Sequence, residues 1–132
     1  KAEGPYATVG RPGEATESIV EKLKPDAIIM IDAALKLEGE DSGSVAQGFG
    51  AAIGGIGTDR FKIEAIAVKY DIPIFAIVVR QSVKEAITLM TKEISDQAEN
   101  VKSQVYEMIT DNSNPNQTVL VIGVGNTLGV AQ

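Results

Sequence analysis

With 132 residues, 44% of them apolar and 23% charged, the chain has the make-up of one soluble domain able to bury a core. Cys and His are both absent, which excludes disulfides, zinc sites built on either residue, cysteine nucleophiles and every Ser-His-Asp triad. A net charge of −6 without a basic stripe sets the chain against nucleic-acid backbones, and no apolar run approaches the ~20 residues needed to span a bilayer.

Residues 2 to 9 read as a short strand ended by Gly10-Arg11-Pro12-Gly13. From Glu14 to Lys24, Ala15, Ile19, Val20 and Leu23 recur at helical spacing, and Pro25 stops that helix. Asp26 to Asp32 is a continuous apolar run between two acids, the pattern of a strand buried on both faces. Ala33 to Leu37 then reads as a short helical turn, Gly39 to Gly43 as a turn, and Ser44 to Phe49 as a short strand. Gly50 to Gly57 is a glycine-rich loop.

At Thr58 helical periodicity returns. Ile63, Ile66, Ala67 and Tyr70 line one face, while Phe61, Ala65 and Val68 make a second stripe, so the helix is expected to be buried over much of its circumference. Pro73 to Val79 is another strand without polar alternation. Ser82-Val83-Lys84-Glu85 is a capping-box sequence, and Val83, Ile87, Met90, Ile94, Val101, Val105 and Met108 keep helical spacing to about Thr110. Asp111 to Asn116 ends that predicted long helix, and Thr118 to Ile122 is a last strand running into Gly123-Val124-Gly125-Asn126. Strands that alternate with helices and lack polar alternation predict an α/β three-layer sandwich with a largely parallel or mixed sheet.

Such sheets bind ligands outside the carboxyl ends of their strands. Asp32 stands there. At the edge of a low-dielectric core its pKa can rise into the acid–base range, or it can ligate a divalent cation; alternatively it caps the following residues. Glu38, Glu40 and Asp41 can supply a second carboxylate or form a solvated loop.

Gly48-x-Gly50-x-x-x-Gly54 and Gly123-x-Gly125-x-x-x-Gly129 carry a spacing used around phosphates. The first lacks the strand–glycine–helix order of a dinucleotide site, and the second ends before a helix or ribose-binding acid. The stretch Gly54, Gly55, Gly57, Thr58, Asp59, Arg60 places amides, a helix N-terminus and a guanidinium where a carboxylate or phosphate can bind; the alternative has Thr58 or Asp59 as the cap and Arg60 on the surface. Gly123, Gly125 and Asn126 form the second candidate loop. Ser82 is read chiefly as a cap rather than a nucleophile.

The stretch Val20-Glu-Lys-Leu-Lys-Pro-Asp-Ala-Ile-Ile-Met-Ile-Asp-Ala33 resembles the spore germination proteases, and the likeness resumes at Gly55 to Arg60, Asp71 to Val79 and Val83 to Thr88. The resemblance implies a phosphorylase/hydrolase-like fold, shared with the hydrogenase maturation endopeptidases. It also implies an aspartate-dependent peptidase site in which Asp32 matches one of two essential acids. In those endopeptidases the Gly-x-Gly-Asn strand comes early, whereas here Gly123 to Asn126 comes last.

Over its whole length, from GPYATVGRPGEA to VIGVGNTLGVAQ, the chain is also similar to an uncharacterised archaeal family, domain-of-unknown-function family 1512. Because the first residue is Lys1, the chain is expected to be a piece of a longer protein, cytoplasmic, with a membrane tether upstream left open. Three readings stand: an aspartate-dependent hydrolase, a non-catalytic domain of a larger protein, and a phosphate or small-ligand binding module. A divalent cation is the cofactor left open. A peptide, a small ligand and a homo-oligomer are the partners left open, with no nucleic acid and no membrane contact by this domain itself.

Overall fold

The computed structural model describes residues 11–50 and 58–124. Helix α1 (Pro12–Leu23) leads into β1 (Ala27–Leu35) and β2 (Val45–Phe49), followed by α2 (Thr58–Lys69) and β3 (Ile74–Gln81). Three helical pieces come next, α3 (Val83–Ala86), α4 (Lys92–Ser95) and α5 (Ala98–Asn112), before β4 (Val119–Gly123). The four strands form one mixed sheet in the order β2-β3-β1-β4. β1 runs parallel to both β3 and β4, and β2 runs antiparallel to β3. The predicted strand over residues 2 to 9 lies outside the described residues.

Strand parity sorts the core into two layers. On one face Ile28 and Met30 meet Val20 of α1 and Ile63, Ile66 and Ala67 of α2. On the other, Ala27, Ile29, Phe75 and Ile77 meet Val101 and Met108 of α5. Each large aliphatic side chain so buried contributes about 1.5–3 kcal/mol relative to exposure. The sheet therefore has helices on both faces, as the apolar strands predicted.

Four local readings change. β1 continues through Ala33 to Leu35, because β3 reaches Gln81 and pairs with it residue for residue (Ala33↔Val79, Ala34↔Arg80, Leu35↔Gln81). The ladder overrides the helical preference of Ala-Ala-Leu.

α1 closes where Lys24 takes a left-handed conformation and donates its N–H to the Val20 carbonyl, with Pro25 behind it. Its buried positions are Pro12, Gly13, Thr16 and Val20, while Leu23 stays 64% exposed. α2 buries Ile63, Ile66 and Ala67 but leaves Phe61, Ala65 and Val68 in solvent.

The predicted long helix is broken into three. Its capping box forms as read, but α3 ends at Ala86, and α4 restarts after Thr91. The breaks bend the chain around the sheet end, where Gly43 lies so close to Glu93 that a Cβ at this glycine would sit 2.6 Å from the Glu93 carbonyl oxygen. After the bend, α5 lies back across β3.

Candidate functional site

Asp32 has the same parity as Ile28 and Met30, so its carboxylate faces α2. It sits inside β1, opposite Val78, with Ala33 to Leu35 still to follow. Only 5% of it is exposed.

On α2, Arg60 precedes Ile63 by three positions and Ala67 by seven, which puts it on the buried face. It therefore points inward, not to the surface as one sequence reading had it. Arg60 Nη2 donates to Asp32 Oδ2, and the Ala33 N–H donates to Asp32 Oδ1 at 2.7 Å. Both side chains of this ion pair are withdrawn from water, Arg60 to 9% exposure.

Burial pushes the Asp32 carboxyl above its ordinary value, outweighing the Arg60 guanidinium, the Ala33 N–H and the Arg60 hydrogen bond, which pull it down. The guanidinium is not fully used. Arg60 Nε is buried and has no hydrogen-bond acceptor among the described residues. A buried donor left unpaired costs about 1–3 kcal/mol.

The carboxyl ends of β1 and β3 hold a second charged group. Arg80 Nη1 donates to the Leu35 carbonyl at 3.2 Å, and Arg80 Nε lies 3.7 Å from Glu40 Oε2. The same Glu40 oxygen accepts from the Leu37 N–H at 2.6 Å, and Lys36 Nζ donates to the Glu40 carbonyl at 3.3 Å. Of the three loop acids, Glu40 is thus tied in place, while Glu38 and Asp41 are exposed. Among the described residues, Asp32 exchanges hydrogen bonds with Arg60 and Ala33 and with no second carboxylate. Among the described residues no group of three acids is arranged to hold a metal ion.

Ser82 is a cap. Its Oγ accepts the Glu85 N–H at 3.2 Å, while its own N–H goes to Glu85 Oε2 at 2.6 Å. The Ser42 hydroxyl adds a third bond to that carboxylate at 3.0 Å. Hydrogen bonds from Ser82 hold the Glu85 carboxyl below its usual range.

Thr58 and Asp59 open α2, and Gly123 closes β4 with open space beside it. Gly54, Gly55, Gly57, Gly125 and Asn126 lie outside the described residues. A cavity of about 550 Å³ sits on the opposite face of the sheet, floored by Ile31 and Val79 and walled by Met90, Ile94, Val101 and Val105. It shares no lining residue with the Asp32–Arg60 pair.

Sequence reasoning singled out Asp32 and Arg60 separately and missed that they meet. The signal was present: strand parity from Ile28 and helical spacing from Ile63 aim the two at one another.

The chain belongs to the family described as the domain of unknown function (DUF1512), C-terminal, whose model matches residues 1–131. No curated protein and no solved structure matches it significantly.

Proposed function

We propose that this DUF1512 C-terminal domain is a binding module for a small anion, a carboxylate or a phosphate, received by Arg60 at the start of α2. The observation that carries the reading is the partly used guanidinium: Nη2 is held by Asp32, and the buried Nε beside it has no acceptor among the described residues. An oxyanion is the partner that completes such an edge, because guanidinium donors pair with two oxygens side by side. The positive end of α2 favours the same charge. Asp32 acts as a positioning residue that fixes the guanidinium. Gly54, Gly55, Gly57, Thr58 and Asp59 before it, and Gly123 at the end of β4 with Gly125 and Asn126, are the proposed sources of further donors.

Thermal shift in the presence of inorganic phosphate, acetate or a nucleotide tests this. Ligand at 100 times its Kd stabilises the fold by about 2.7 kcal/mol. Arg60→Gln together with Asp32→Asn replaces the charged pair with a neutral one and should remove the response without stranding a buried charge. Indifference of the native protein to all three anions contradicts the reading.

A second reading is favoured by the raised Asp32 carboxyl, since an elevated carboxyl is what an acid–base residue needs. It takes the domain as an aspartate-dependent, peptidase-like hydrolase, with Asp32 as one acid and the second acid or a divalent cation supplied outside the described residues. Cleavage of casein by the native protein, abolished in Asp32→Asn, supports it. Equal cleavage by both removes Asp32 from the chemistry.

A further inference from the structure

The opposite edge of the molecule carries a different feature. β2 ends the sheet, and among the described residues nothing pairs with its outer side. Gly50 and Ser44 bond inward to β3, through Gly50 N–H to the Ile74 carbonyl and Arg80 N–H to the Ser44 carbonyl. In an antiparallel pair the bonding residues alternate, so Val45, Gln47 and Phe49 turn their N–H and C=O groups outward. The strand reads Val-Ala-Gln-Gly-Phe. It contains no charge and no Pro, the usual devices that keep an edge from pairing.

Beside this edge lies a cavity of about 340 Å³, bounded by Gln47, Phe49 and Phe75 on the sheet and by Glu107, Met108 and Asp111 on α5. Phe49 is 82% exposed, its ring 5.3 Å from that of Phe75. Gln47 Nε2 donates to Gln104 Oε1 at 2.6 Å and fixes the floor between edge and helix. Glu107 and Asp111 stand one turn apart on α5, and neither has a cationic partner among the described residues. The last turn of α5 holds no basic residue, so both carboxylates sit toward the negative end of the helix with nothing to offset them.

We infer that the outer edge of β2 is a docking site for an extended basic peptide, which adds to the sheet as a further strand. Outward N–H and C=O groups supply the ladder, and alternate side chains on the α5 side enter the cavity. Alternate residues of a strand are about 6.8 Å apart, and Glu107 and Asp111 are separated by about 6 Å of helix rise, so two Lys or Arg at alternate positions match the two carboxylates. Phe49 offers its face to an aliphatic stem or a cation. The two carboxylates, in a last turn of α5 that holds no basic residue, select a basic partner over an acidic one.

The test is an amide NMR titration of the domain with a blocked peptide of alternating Val and Lys, alongside its Val–Glu counterpart. The expected result is saturable change at Val45, Gln47 and Phe49 with the Lys peptide only. Glu107→Gln with Asp111→Asn should weaken binding about fivefold to tenfold and flatten its salt dependence, with an unchanged thermal melt. Equal binding of the Val–Glu peptide, changes centred on β4 or α2, no binding, or an unaffected double variant would each overturn the proposal. Self-association through β2 without a response to the Lys peptide would overturn it as well, in favour of a second copy of this chain.

Discussion

The two faces of the sheet handle their charges in opposite ways. Against α2, Asp32 and Arg60 leave water together, Asp32 accepting from Arg60 and from the Ala33 N–H. Against α5, Glu107 and Asp111 stay in water with no counter-charge among the described residues. A buried pair fixes geometry, and breaking it strands a charge in a low dielectric. An exposed like-charge pair costs the fold little and leaves its field available to something outside. The first arrangement holds a donor in place; the second waits for one.

Removing one charge from each region should separate them most sharply. Asp32→Ala leaves Arg60 buried without a counterion and should cost about 3–5 kcal/mol in urea unfolding. Glu107→Gln should stay within about 0.5 kcal/mol of the native protein. Similar losses would dissolve the contrast.

The same division runs along α2. Ile63 is fully buried, and Ile63→Ala should cost about 2–5 kcal/mol. Phe61→Ala, on the stripe left in solvent, should cost less than about 0.5 kcal/mol. A large loss at Phe61 would mean that the second apolar stripe is covered after all. Between these two values, Ser82→Ala removes the cap of α3 and should cost about 1 kcal/mol.

The smallest effect is in pH. Asp32 has a folded value raised from 3.8, so the folded state holds its proton longer, and this contribution is full below that value and lost as pH rises through the raised one. Glu85 is lowered from 4.5, so its contribution is present above that value and lost as pH falls through the lowered one. Asp32→Asn should therefore leave the rise of stability with pH that Glu85 supplies, and Glu85→Gln the fall with pH that Asp32 supplies, so the two variants have opposite slopes. Parallel slopes would contradict these directions.

The layered α/β arrangement was legible because β1 and β3 lack polar alternation and so announce two covered faces. Asp32 was read as the end of its strand, whereas β1 runs on past it to Leu35. The length of β1 was not legible, because Ala33 to Leu35 take their conformation from β3 across the sheet and not from their own preference. The break in the helix after Ala86 was hidden because Val83 to Met108 keep helical spacing throughout. The Asp32–Arg60 contact lay between, readable from two periodicities only once they were placed on facing elements.

The anion-binding proposal rests on the Arg60 guanidinium, whose buried Nε has no acceptor among the described residues. The Arg60 side-chain N–H resonance, followed by NMR while inorganic phosphate and then acetate are titrated into the native protein, reports on that donor directly. The account predicts a saturable shift of the Arg60 Nε–H signal with at least one of the two, absent in Arg60→Gln. A signal that stays in place to saturating concentrations of both would mean that the guanidinium serves only to tie α2 to β1.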